Sequence, residues 1–191
     1  ICPSLACHMT ATQAEDLVLE TARAWMDQTP TCDPLHGLLQ RAREALEAMP
    51  HTTRIRNELA FLNLLARLHE YAWPSSAEPL TPRRVRAVPQ KLELFARVLA
   101  YNRDAYQTRQ IRSLGEACSE GSGSTDNAVR ISAMLVDAAA ANGDLVAACR
   151  ECERLVTRVQ AIDRATNVEA YDAAWRTCFQ LAKNPLWTDE Q

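Results

Sequence analysis

Glycine is scarce in this chain, with five in 191 residues, and no stretch alternates apolar and polar positions with strand chemistry. A sheet protein is therefore not expected. No apolar run approaches the ~20 residues that span a bilayer, and the first residues lack the charged-then-apolar order of a signal peptide. The chain thus reads as soluble. Positive charge is not in excess either: the net charge is −3 and the isoelectric point about 5.8. Binding to nucleic-acid phosphates needs a concentrated basic field, so no nucleic-acid partner is expected. The one local exception, Pro82 to Lys91 with Arg83, Arg84, Arg86 and Lys91 and no acid, reads first as a solvated helix face and second as a docking site for an acidic partner or an anionic lipid surface.

What the chain has instead is alanine, leucine, arginine and glutamate, residues that lose little side-chain freedom in a helix. At 47% hydrophobic and 24% charged it has the composition of an ordinary globular protein with a core. It begins at Ile1 and ends at Trp187 to Gln191 without a terminating device, and is expected to be one piece of a longer chain.

Helical periodicity runs from end to end. Ala14, Leu17, Val18, Ala22 and Trp25 form one stripe from Thr10 to about Gln28. Asp33 is expected to cap a second helix with Pro34 in its first turn, carrying Leu35, Leu38, Leu39, Ala42, Leu46 and Met49. A third, about Thr53 to Tyr71, is apolar over so wide an arc (Ile55, Leu59, Phe61, Leu62, Leu64, Leu65, Ala66, Leu68) that it needs neighbours on more than one side. Ala72 to Pro82, with three prolines, is a connector. A short basic helix opens at Thr81-Pro82. The next is expected to bury Leu92, Phe95, Ala96 and Leu99, and another, Asp104 to about Ser119, to bury Tyr106, Ile111, Leu114 and Cys118.

The Gly-Ser-rich loop 120–126 separates two sub-groups of helices, 1–119 and 127–191. Ala128 to Ala141 is the first helix after it. Leu145 to about Val159 follows, with Cys149, Cys152, Leu155 and Val156 on its apolar face. Asn142-Gly143-Asp144 joins these two. The last helix runs from an Asn167 cap to about Lys183 and is expected to bury Tyr171, Ala174, Trp175, Cys178 and Leu181. Short connectors make sequence neighbours antiparallel. About eight or nine helices, each in need of two neighbours, describe an all-α solenoid of stacked antiparallel pairs, a single such fragment over 1–191.

The candidate chemistry is thin. Seven cysteines, Cys2, Cys7, Cys32, Cys118, Cys149, Cys152 and Cys178, form an odd set in a chain large enough to fold without staples, which fits a reducing, cytosolic setting. Cys149-x-x-Cys152 lies one turn apart inside an amphipathic helix. It lacks the preceding strand of a redox motif and the second ligand pair of a zinc site, so the reading is packing. Cys2, Cys7, His8 and Cys32 match no common zinc spacing. His36, His51 and His69 form no H-E-x-x-H or E-x-x-H pair. Gly121 to Ser124 lacks the lysine and strand of a phosphate loop, and no G-x-S-x-G elbow occurs. No catalytic residue, cofactor or metal is expected. Trp25, Trp73 and Trp175 read as core or inter-helix wedges, and Trp187 as an anchor for a neighbouring repeat.

The order of motifs resembles the Sec thirty-nine domain of the neuroblastoma-amplified sequence protein family. The likeness begins with E-D-L-V-L-E-T-A-R-A-W-M and D-P-L-H-G-L-L-Q-R-A-R-E-A-L. It continues through N-E-L-A-F-L-N-L-L-A-R-L-H-E-Y, K-L-E-L-F-A-R-V-L-A-Y-N-R-D-A-Y and L-G-E-A-C, and closes with D-L-V-A-A-C-R-E-C-E-R-L-V and D-A-A-W-R-T-C-F-Q-L-A. The resemblance implies a non-enzymatic α-solenoid scaffold, a subunit of the NRZ tethering complex and counterpart of the fungal Dsl tether. Such a subunit is cytoplasmic and peripheral on the endoplasmic reticulum. There it links Zeste-white-ten-like and RINT-like subunits to ER SNAREs and captures retrograde vesicles from the Golgi. It implies no numbered partner-binding residue.

Two kinds of alternative stand beside this, other scaffolds and an enzyme. One is a related scaffold of rough-deal type, which pairs with Zeste-white-ten at kinetochores, or a generic solenoid interaction module. The other is a small helical metalloenzyme built on the amino-terminal cysteines and His8.

Overall fold

The computed structural model describes residues 10–71, 73, 79–119, 125–162 and 167–187, and among them every regular element is helical. The fold is all-α. The chain divides into two compact units, Ile1–His69 with Pro79–Ala87, and Glu70–Glu78 with Val88–Gln191.

The first unit holds α1 (Ala11–Gln28), α2 (Gly37–Glu47), α3 (Thr53–His69) and α4 (Pro82–Ala87). Helix α1 starts where the sequence places it. The Thr10 hydroxyl accepts from the Gln13 N–H and the Gln13 side chain accepts from the Thr10 N–H, a reciprocal capping box. The start of α2 is a correction. Asp33 caps a preceding turn, accepting from the Leu35 N–H at 2.9 Å, and the helix itself is capped by His36. Leu35 therefore stays outside the stripe and is 75% exposed.

Helices α1 and α2 pack together, as do α2 and α3, and α4 lies on α1. Polar pairs give the direction: Glu15 meets Thr52, Asp16 meets Arg54 and Arg23 meets Glu58. Residue numbers rise together on both helices, so α1 and α3 run parallel. The interior is filled by Leu19, Met26, Leu39, Leu46, Ile55, Leu65, Leu68 and Val85, with Ala22 and Ala42 fully buried. Buried alanines add little bulk and so permit close approach of helix backbones.

The second unit holds α5 (Leu92–Tyr101), a 3-10 turn (Ala105–Gln107), α6 (Gln110–Ser119), α7 (Thr125–Ala141), α8 (Leu145–Gln160), α9 (Val168–Ala182) and a closing 3-10 turn (Pro185–Trp187). Two expectations change here. The helix read from Asp104 to Ser119 is broken, because Ala105–Gln107 form a 3-10 turn, closed by Gln107 N–H on the Asp104 carbonyl and by Thr108 on the Ala105 carbonyl, and α6 begins only at Gln110. Helix α5 buries Leu94, Phe95, Val98 and Leu99, while Ala96 is exposed.

The α7–α8 turn follows its sequence signal closely. Gly143 has φ 76°, a value that favours glycine, and the Gly143 and Asp144 N–H groups donate to the Ala140 and Ala139 carbonyls. This is the Schellman arrangement that ends a helix. The Asp144 carboxylate then accepts from the Ala147 N–H at 2.9 Å and starts α8.

Arg158, late in α8, donates to the Ala128 carbonyl at 3.0 Å and to the buried Ser132 hydroxyl at 2.8 Å, both early in α7, so these helices are antiparallel. Helix α9 packs on both α7 and α8. Val129, Ala133, Val136 and Ala139 of α7 meet Ala148, Leu155 and Val159 of α8 and Ala170, Ala174 and Leu181 of α9 in one core. Another side of α7 takes α6: an added Cβ on Gly115 would lie 2.9 Å from Ile131 Cγ2. A helix touched by the next, the next but one and the one before is the stacking mode of helical solenoids. Helices α6 and α7 belong to the same unit, and α7 opens at Thr125, inside the segment 120–126 expected to be a loop.

Candidate interaction surface

Helix α9 turns Ala170, Ala174, Thr177 and Leu181 inward. The same periodicity that buries those positions places Trp175 and Phe179, one turn apart, on the outside. This overturns the expectation that Trp175 is a core wedge: it is 71% exposed, and Phe179 is 47% exposed. The two rings stack with centroids 6.2 Å apart and planes inclined by 24°. The Lys183 ammonium lies 4.3 Å above the Phe179 ring, one further turn along. Three successive turns thus present an aromatic, an aromatic and a cation. Large amphipathic side chains of low conformational entropy are the anchors that dominate protein interfaces.

Beside this ridge lies an open groove of about 580 Å³ between α8 and α9, lined by Cys149, Cys152, Val156, Cys178, Leu181 and Trp187. The Trp187 indole N–H donates to the Leu181 carbonyl at 2.7 Å, which fixes the ring at the end of the groove. Val156, expected to be buried, is exposed at its edge.

The Cys149-x-x-Cys152 pair is thus part of a groove wall. Cys152 Sγ lies 3.0 Å from Cys178 Sγ, and burial, reinforced by the Cys178 hydrogen bond, pushes the Cys152 thiol up to about 12. A thiol held in its protonated form is a packing group with little nucleophilic character. Cys32 and Cys118 are of the same kind, each pushed to about 12 by burial, and Cys32 Sγ donates to the Leu80 carbonyl.

The other singled-out residues scatter. Cys2, Cys7, His8 and Gly121 to Ser124 lie outside the described residues. His36 is the α2 cap, His69 Nε2 lies 3.9 Å from Asp33 Oδ1, and His51 is exposed. Among the described residues no group of three or more His, Cys, Asp or Glu is placed to hold a metal ion, and no helix is long and apolar enough to cross a membrane. Trp25 and Trp73 are half-buried.

The basic segment is partly consumed by the fold. Arg86 donates to Glu58 at 3.1 Å and its guanidinium lies 4.2 Å over the Phe61 ring, and Lys91 donates to the Val88 carbonyl. Arg83 and Arg84 are exposed. Glu58, 5% exposed and bound by Arg23 and Arg86, was not singled out in the sequence. Its register was the available signal, since it stands between Ile55 and Leu62 on the buried face of α3.

The sequence model of the family described as secretory pathway protein Sec39 matches residues 4–189. No curated protein matches the chain.

Proposed function

This chain belongs to the Sec39 family of secretory pathway proteins, and on that premise we propose that it is a non-enzymatic helical scaffold of a vesicle-tethering complex. In this reading it acts at the endoplasmic reticulum in retrograde transport from the Golgi, as part of an assembly of NRZ or Dsl type. Its partners are Zeste-white-ten-like and RINT-like subunits and ER SNAREs, and its membrane association is peripheral, through them. The α9 ridge is one contact surface.

The observation that carries the reading is the family match along nearly the whole chain, joined to the exposed Trp175–Phe179–Lys183 ridge on the helices it covers. Stacked helices hold partners at set separations while each repeat offers new surface, which is what a tether requires. A ridge of exposed aromatics beside an apolar groove is costly to leave bare, and such patches are characteristic of interaction sites.

Affinity capture of the tagged full-length protein, followed by identification of bound proteins, tests the assignment. Recovery of ER SNAREs together with a Zeste-white-ten-like subunit supports it. Recovery of Zwilch and Zeste-white-ten without SNAREs would move the chain to the kinetochore scaffold.

A further inference from the structure

Helix α8 lines a second concavity on its opposite side. Ala147, Arg150, Glu151 and Arg154 fall about half a turn around the helix from the groove residues Cys149, Cys152 and Val156. With Arg109, just before α6, and Ile111 and Arg112 in its first turn, they line a separate concavity of about 580 Å³.

Four guanidiniums ring this space, and the two carboxylates in it are already engaged. Glu151 is held by Arg112 and by Arg154, the latter at 2.5 Å. Asp144 accepts from the Tyr106 hydroxyl at 3.1 Å and from the Ala147 N–H at 2.9 Å, as the cap of α8. Arg109 and Arg150 are both exposed, and among the described residues neither has a hydrogen-bond or ion-pair partner. The Glu151 pairs hold Arg112 and Arg154 in place, and the concavity keeps an excess of two positive charges. Its wall also includes the apolar Ile111 and Ala147.

We propose that this pocket binds an acidic segment of a protein partner, with Arg109 and Arg150 forming forked hydrogen bonds to its carboxylates. Arginine suits the task because its planar donors match a carboxylate in bidentate fashion. Shape and charge favour a peptide over a membrane. A bilayer presses on a broad convex basic face, whereas these arginines line a concavity in a protein of net charge −3. An extended chain enters such a space, places acids on the rim arginines and rests an apolar side chain against Ile111 and Ala147. The inference rests on the scaffold reading only in taking the occupant to be a protein, and a measurement on the purified chain keeps the two apart.

The test is fluorescence anisotropy of the full 191-residue protein with a short fluorescein-labelled peptide of glutamate and leucine. The expected result is saturable binding that weakens as salt rises. Replacing both Arg109→Glu and Arg150→Glu weakens it by about thirtyfold or more, whereas Arg41→Glu with Arg97→Glu, the same charge change at exposed sites elsewhere, leaves it within about twofold. Equal binding of the glutamine counterpart, an unaltered affinity in the Arg109/Arg150 variant, or no binding at all overturns the proposal. So does sedimentation with phosphatidylserine vesicles that needs Arg109 and Arg150 when the peptide does not bind, because that result gives the pocket to a lipid surface. Failure here leaves the SNARE-capture result standing, and the reverse is equally true.

Discussion

Trp175 stacks on Phe179 at 6.2 Å while most of its own surface faces solvent. An exposed pair of large aromatics contributes little to folding, since Trp175 is 71% and Phe179 47% exposed. Trp175→Ala should therefore change stability by about 1 kcal/mol or less. Leu39→Ala, which opens a cavity between packed helices, should cost about 2–5 kcal/mol. Urea denaturation of the two variants checks the contrast, and a large loss for Trp175→Ala would mean that the ridge is structural.

Glu58 joins α3 to Arg23 of α1 and Arg86 of α4. Glu58→Ala removes a buried acceptor of two charged donors and should lower stability by about 1–3 kcal/mol. Glu58→Gln keeps an acceptor and should cost less. A double-mutant cycle with Arg86→Ala measures the coupling, expected at about 1 kcal/mol. Strict additivity would show that the pair is ornamental.

Gly115 permits the close approach of α6 to α7. Gly115→Ala gains about 1 kcal/mol of helix propensity but drives a Cβ into Ile131, whose Cγ2, Cδ1 and Cγ1 would lie 2.9, 3.2 and 3.2 Å away. Ile131 is itself buried, and overpacking costs about 1–3 kcal/mol. The net expectation is a loss of roughly 1 kcal/mol, reduced in an Ile131→Val background that removes one of the clashing carbons. A melting temperature raised by Gly115→Ala would contradict this packing.

Alkaline pH should expose the buried thiols. Cys32, Cys118 and Cys152 titrate near 12 in the folded chain against an ordinary 9.0. Below about pH 9 both states keep these protons and stability is unaffected by them. Between about 9 and 12 the unfolded chain releases protons that the folded chain retains, so stability falls as pH rises. The urea midpoint should hold from about pH 7 to about pH 9 and then decline. Serine replacements at the three sites should flatten that decline whatever they do to the starting level.

Helix number, most helix bounds and the Asn142-Gly143-Asp144 turn were legible because period, caps and glycine each act locally. Two errors share one cause, the phase of an apolar arc, and a third comes from a misplaced helix start. In α9 the apolar residues span two arcs, Tyr171, Ala174, Cys178 and Leu181 on one, Trp175 and Phe179 on the other. Size alone favours burying the tryptophan. The core instead takes Ala170, Ala174 and Thr177, because small residues let α9 approach α7 and α8. In α5 the arc was set off in phase: the core takes Leu94 and Val98 and leaves Ala96 outside. Leu35 was misplaced because Asp33 caps a turn that looks locally like a helix start. The arginine pocket was not legible, since Arg109 and Arg150 lie on different elements and only packing brings them to one concavity.

The central claim is that this chain works by presenting surface. Its most direct test is co-precipitation of ER SNAREs and a Zeste-white-ten-like subunit with the full-length protein carrying Trp175→Ala and Phe179→Ala, after matching its melting temperature to the unaltered chain. The account predicts that partner recovery falls by about tenfold or more while the fold is unchanged. Full recovery with the ridge removed, or no recovery by the unaltered protein, would contradict it.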